Sequence, residues 1–160
     1  MSAANQILLT QETLNEISRH SQETFPDECC GIIVSNGEQD HILRLKNMQN
    51  ARHAKDPDTF PRDATIAYSM DEMELESKII DAQKIGFQLK AFYHSHPKHG
   101  AYFSAEDRAG ATPFGEPTYP DTAQIVVSVF DKVIKDIRAF TWSEDKKDFV
   151  ELPIQKKITA

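Results

Sequence analysis

The sequence is poor in cysteine, in long apolar runs and in clustered positive charge, and each shortage excludes something. It has two cysteines, Cys29 and Cys30, and they are neighbours. A disulfide between adjacent residues is strained and has little reason to form in a reducing compartment. No second cysteine pair exists to complete a zinc thiolate site, and nothing adjacent supplies the base that a cysteine nucleophile needs. The pair is read as small buried residues in a strand. The longest apolar runs, such as Ala123 to Phe130, are broken by polar residues and far too short to span a bilayer. The N-terminal MSAANQILLT lacks a positive segment followed by an apolar core, so no signal peptide is expected. There is no long Lys/Arg run, and a net charge of −7 opposes the clustered positive surface that nucleic-acid binding requires. A cytoplasmic protein that binds neither membrane nor nucleic acid is expected.

What is present suits one domain spanning residues 1–160, since 39% apolar and 27% charged residues are ordinary for a chain with a core. Residues 10 to 24 read as a helix capped by Thr10, with Leu14 and Ile17, joined by Ile7 and Leu8, on one apolar side. Phe25-Pro26-Asp27 breaks it. Cys29 to Val34 is a strand, Ser35-Asn36-Gly37 a turn, and His41 to Leu45 the return strand. Asn47 to Thr65 lacks periodicity and reads as a long loop, followed by a short strand at Ile66 to Tyr68. Ser69 is expected to cap a second helix that ends before Gly86, with Met73, Glu76 and Ile80 on one face. Phe87 to Tyr93 is a strand that runs into Tyr93-His94-Ser95-His96-Pro97. A short helix opens at Ser104, Ala123 to Phe130 and Val133 to Trp142 form a hairpin through Asp131-Lys132, and Phe149 to Ile154 adds an edge strand. The fold class is α/β or α+β: a mixed sheet flanked by two or three helices.

His94 and His96 carry the first chemical signal. Residues i and i+2 of a strand project to one face, so both imidazoles can point at one spot. Pro97 should end the strand and leave the pair at an exposed sheet end. Asp107 follows on the helix that Ser104 opens, where a carboxylate can join two neutral imidazoles as a third zinc ligand. Three protein ligands leave one position open, as a catalytic site needs. Asp107 also serves as a first-turn helix acid, and the two roles are compatible.

The run His94-Ser95-His96-Pro97, six further residues, Ser104, two residues and Asp107 resembles the signature of the JAMM (MPN+) zinc metallopeptidases. Glu28-Cys29-Cys30-Gly31 resembles the upstream Glu-x-Cys-Gly of that family. The resemblance runs from about the first helix to about Trp142, and no catalytic position departs from it. It implies a cytidine-deaminase-like fold with a curved mixed sheet. It also implies Zn2+ held by His94, His96 and Asp107, with Glu28 as the general base that passes a proton from water to the leaving amine. Ser104 would hydrogen-bond the water or the developing oxyanion. His99 is read as a loop histidine outside the ligand set, and Ser95 as a buried hydrogen-bonding residue on the opposite face.

The resemblance further implies a partner, a ubiquitin-like protein whose C-terminal tail is cut in deconjugation or precursor processing. In a bacterium this fits a ubiquitin-like conjugation operon, including those linked to antiviral defence. The other readings are trimming of a sulfur-carrier protein's tail in cysteine or cofactor biosynthesis, and a metal-free MPN scaffold. A monomer or homodimer is expected. Asn47 to Thr65 and the proline- and glycine-rich 103–120 segment are the places for substrate-side elements.

Overall fold

The computed structural model describes residues 5–158, so the first four residues of the N-terminal segment and the last two of the chain lie outside it. Among the described residues eight strands and four helices follow in the order β1 (Ile7–Thr10), α1 (Gln11–Thr24), β2 (Cys30–Ser35), β3 (Asp40–Leu45), α2 (Gln49–Lys55), α3 (Glu72–Lys84), β4 (Gln88–Pro97), α4 (Ala105–Ala111), β5 (Ala123–Phe130), β6 (Val133–Ser143), β7 (Asp148–Leu152) and β8 (Ile154–Lys157). A six-stranded sheet has the order β3-β2-β4-β5-β6-β7, and β1 pairs with β8 in a separate two-stranded sheet. All neighbours in the large sheet are antiparallel except β4 and β5. The mixed α+β sheet is the architecture expected from the sequence. Among the described residues no helix is long and apolar enough to cross a membrane.

Both faces of the sheet are covered, which explains why β2 and β5 are mostly apolar on both sides rather than alternating. Cys29, Ile33, Ala91, Tyr93, Ile125 and Val127 face one cluster with Ile17 of α1, while Cys30, Ile32, Val34 and Phe92 face another with Leu75 and Ala82 of α3. The cysteines are the small buried residues expected of them, one on each face. Gly31 is opposite Tyr93 in the β2–β4 register, and a Cβ there would sit 2.5 Å from that ring. The Tyr93 hydroxyl in turn meets His20 Nδ1 of α1 at 2.7 Å, so a bare backbone at position 31 lets the ring cross to the helix.

Several expectations need correction. Ile7 and Leu8 belong to β1, not to the apolar side of α1: Leu8 is exposed between buried Ile7 and Leu9, a two-residue period. Thr10 does cap α1, accepting from the Thr13 N–H. The expected loop from Asn47 to Thr65 contains α2, a fourth helix with no apolar stripe. Gln49 is its one buried residue, and it is held by polar bonds such as Gln49 Nε2 to the Arg62 carbonyl. Ile66 to Tyr68 is not a strand: the Ile66 N–H turns back to the Asp63 carbonyl, and the Ala67 carbonyl accepts from the Asn47 side chain rather than from a neighbouring strand. Asp71, not Ser69, caps α3 by accepting from the Met73 and Glu74 N–H groups, and the covered face of the helix is Leu75, Ile79 and Ala82, with Met73 exposed. The single edge strand expected at Phe149 to Ile154 is two strands, since the chain leaves β6 after Leu152 and pairs with β1 through β8.

Two outcomes follow. Gly31→Ala forces the Tyr93 ring off His20 and should cost about 1–3 kcal/mol in urea unfolding, as overpacking does. Burial first, then the charge of Arg44, outweigh Glu23 and lower the His20 pKa to about 4. Below its ordinary value near 6.5 the unfolded chain takes up a proton that the folded chain refuses. Stability should therefore fall as pH drops from about 6.5 towards 4, and His20→Gln should flatten that slope in pH-dependent urea titrations.

Candidate metal centre

β4 delivers the two histidines by simple alternation. Phe92, His94 and His96 share the α3 side of the sheet, and Ala91, Tyr93 and Ser95 take the other. The sheet end they occupy is not exposed: His94 is fully buried and His96 is 5% exposed. β4 is a central strand, paired with β2 as far as His94 and with β5 as far as Pro97. Beyond Pro97 the chain turns at Lys98, whose φ is +63°, and folds back over the pair. The turn is held by the Lys98 N–H on the Val129 carbonyl at 2.8 Å and by the Ser128 hydroxyl donating to the His99 carbonyl. The Gly100 carbonyl accepts from His96 Nδ1 at 2.9 Å. A carbonyl only accepts, so Nδ1 carries the hydrogen and neutral His96 presents a lone pair at Nε2.

α4 delivers the carboxylate. Ser104 is its N-cap: its hydroxyl oxygen accepts from the Asp107 N–H at 3.0 Å, and Asp107 Oδ2 accepts from the Ser104 N–H at 3.0 Å. The same Oδ2 lies 3.0 Å from His94 Nε2 and 3.1 Å from His96 Nε2, and the two nitrogens are 3.1 Å apart. Donor atoms about 2.0–2.1 Å from a tetrahedral ion sit roughly 3.3–3.4 Å from one another, so the triangle has the size of one face of a zinc site. Without a metal, burial pushes the Asp107 carboxyl up, but attraction to His94 and, when the imidazoles carry hydrogen at Nε2, their hydrogen bonds outweigh it and hold the pKa well below its ordinary value.

Glu28 enters from the start of β2. Its N–H donates to the Ala64 carbonyl at 2.7 Å, and its carbonyl accepts from Asn47 Nδ2 at 2.9 Å. Ser95, on the far face of β4, accepts from the Cys29 N–H at 2.8 Å and so pins the next residue. The Glu28 side chain is 4% exposed and its Oε1 is buried without a hydrogen-bond partner. Glu28, His94 and His96 each offer a donor atom within 4.8 Å of the others. Burial, then the charge of Asp107, pushes the Glu28 carboxyl up to about 9, with Arg62 pulling weakly the other way. A buried carboxyl with a bare oxygen beside converging lone pairs is a donor set that suits a divalent cation.

The five expected residues thus meet, and four of them, Glu28, His96, Ser104 and Asp107, open onto one groove of about 1280 Å³. Both segments expected on the substrate side contribute to its walls, Arg52, Phe60 and Arg62 from one and Ala111, Phe114 and Tyr119 from the other, together with the stretch from Ile66 to Glu76. His99 lines the groove but stands outside the cluster of donor atoms. Tyr68 and Asn47 were not legible in the sequence. The Tyr68 ring stacks on His94 at 4.4 Å and 25°, and Asn47 bonds four backbone groups. Both lie in a stretch with neither periodicity nor motif.

The comparisons agree with this geometry at the level of fold. The solution structure of a protein from Desulfitobacterium hafniense superposes with a TM-score of 0.70 at 23% identity, covering 96% of this chain and 94% of that one. A Salinibacter ruber protein gives 0.57 at 21%, covering 95% and 92%. The crystal structure of a JAB1/MPN domain protein from Archaeoglobus fulgidus gives 0.51 at 17%, covering 93% and 98%. No curated protein matches the sequence. The family model described as prokaryotic homologs of the JAB domain matches residues 10–142, from the cap of α1 to within one residue of the end of β6 and across every residue of the centre. The chain belongs to the family of prokaryotic homologs of the JAB domain.

Proposed function

We propose that the protein is a zinc-dependent peptidase or isopeptidase that cuts after the C-terminal tail of a ubiquitin-like protein. The observation that carries the reading is the triangle of His94 Nε2, His96 Nε2 and Asp107 Oδ2, with sides of 3.0–3.1 Å, facing a groove that Glu28 also enters. Zinc held by those three residues would supply Lewis acidity toward the scissile carbonyl, acidify a water and draw the Glu28 carboxyl down to its ionised form. Glu28 then takes the proton of the attacking water and passes it to the departing amine. Ser104 Oγ accepts from the Asp107 N–H and keeps its own hydrogen to donate to the developing oxyanion. Burial of His94 and Glu28 keeps bulk water from competing for these bonds.

The substrate class follows from the family resemblance and suits the groove. A tail without side chains needs only a slot between the two walls, and the scissile bond must reach a centre at the buried end of β4. β4 is paired on both sides, so it offers no free edge to an entering tail.

Purified protein should contain about one zinc per chain by elemental analysis, and a chelator should abolish cleavage of a ubiquitin-like protein carrying a C-terminal extension or a lysine-linked partner. A metal-free wild-type protein would indicate a scaffold instead. Cleavage confined to a carrier bearing a single C-terminal amino acid would move the assignment to sulfur-carrier trimming. Glu28→Gln should keep the zinc and lose at least about 10²-fold in kcat; substantial activity in that variant would remove Glu28 as the base. Asp107→Ala should lose zinc, and an unchanged metal content would remove Asp107 from the ligand set.

A further inference from the structure

A histidine that turns one nitrogen to a metal ordinarily donates the other N–H to a carboxylate, a carbonyl or a water, and that bond fixes the plane of the ring. His96 follows this rule through the Gly100 carbonyl. His94 does not: its Nδ1 is buried without a hydrogen-bond partner. The plane of the ring is set by aromatic contacts instead. Tyr68 lies against one side with centroids 4.4 Å apart and an interplanar angle of 25°, and Phe103 meets the ring edge-on at 6.4 Å and 62°.

Tyr68 belongs to no helix or strand, so its ring is only as fixed as the backbone around it. The Met48 N–H donates to the Ser69 carbonyl at 2.8 Å, and the other bonds on either side of Tyr68 come from one side chain. Asn47 Nδ2 donates to the Ala67 carbonyl at 3.1 Å and to the Glu28 carbonyl at 2.9 Å, and Asn47 Oδ1 accepts from the Ser69 N–H at 3.1 Å and the Gln49 N–H at 3.0 Å. Both donors and both acceptor sites of the amide are used. Two of the four bonds bracket Tyr68, a third holds the residue read as the general base, and the fourth starts α2.

We propose that Asn47 and Tyr68 form a positioning device for the metal centre: Tyr68 fixes the plane of the His94 imidazole by stacking, and Asn47 fixes Tyr68 and the Glu28 backbone relative to each other. Both are positioning residues that act through His94 and Glu28. The inference rests on the zinc reading of the site, and the test separates the two.

Zinc affinity is measured by chelator competition, and ligand geometry by the visible spectrum of the cobalt-substituted protein, beside urea unfolding of each variant. Tyr68→Phe keeps the ring and should keep wild-type affinity and spectrum. Tyr68→Leu keeps apolar bulk without a ring and should weaken zinc about 10- to 100-fold and shift the cobalt bands. Asn47→Asp keeps the shape but loses both donors; it should weaken zinc in the same direction and lower kcat with little change in KM. Wild-type affinity and spectrum in Tyr68→Leu would overturn the stacking role, as would equal impairment in Tyr68→Phe. A loss of stability in Asn47→Asp with zinc affinity and kcat unchanged would overturn the Asn47 role. Absence of zinc from the wild type would overturn the metal reading and this inference together, an outcome distinct from either of those.

Discussion

The centre depends on a single oxygen. Asp107 Oδ2 accepts from the Ser104 N–H and, from the same position, faces His94 Nε2 and His96 Nε2 at 3.0 and 3.1 Å. The first bond is a helix cap and would exist on any helix with this start. It removes the rotameric freedom of the carboxylate before a metal is considered, so the proposed third ligand is oriented by secondary structure. The strand supplies the other two by its alternation. Neither element was shaped for the metal alone. The chain had to bring the first turn of α4 over the end of β4, and the bonds from Lys98, Ser128 and His96 to the backbone around the turn accomplish this.

The arrangement is costly to the folded chain and is supported from elsewhere. Glu28, His94, His96 and Asp107 are all buried, and the lone pair of His96 faces the Asp107 carboxylate. Burying charge and bare polar atoms costs several kcal/mol in general, offset here by two apolar clusters on opposite faces of one sheet. The β2–β4 ladder and its Gly31–Tyr93 crossing hold those faces together directly below the site. A ligand that binds only the folded form returns stability by mass action, so metal binding and folding are linked in such a centre.

Local spacing carried most of the site into the sequence. His94, His96, Ser104 and Asp107 are arranged by a strand period and a helix cap, both of which depend only on near neighbours. The sheet was legible for the same reason, since β2, β4, β5 and β6 are apolar or alternating runs bounded by turns. Two-residue alternation also betrays β1, although it stands next to α1 and can be mistaken for part of a helical stripe. What was not legible rests on long-range polar bonds. α2 has no apolar face, and its register is set by Gln49 reaching Arg62 and Arg52 reaching the Met70 carbonyl. Asn47 reads as one more polar residue in a loop until the four groups it bonds are placed around it. The burial of His94 and His96 was missed because the covering segment follows the proline that ends the strand.

The regular and irregular parts of the chain divide the work of the centre. The residues proposed to hold a metal, His94, His96 and Asp107, sit on β4 and α4, where backbone hydrogen bonds fix their positions within narrow limits. Glu28 and Tyr68 sit where no ladder or helix holds them, one at the entry to β2 and the other between α2 and α3. Their backbones are fixed instead by loop bonds, the Glu28 N–H on the Ala64 carbonyl and the Met48 N–H on the Ser69 carbonyl, and above all by the Asn47 side chain. A metal ligand must not move, because a small displacement breaks its bond. A base that carries a proton from water to a leaving group needs a position near the centre without belonging to it. A side-chain clamp on irregular backbone can place it there, whereas the pitch of a strand or helix would not leave that choice.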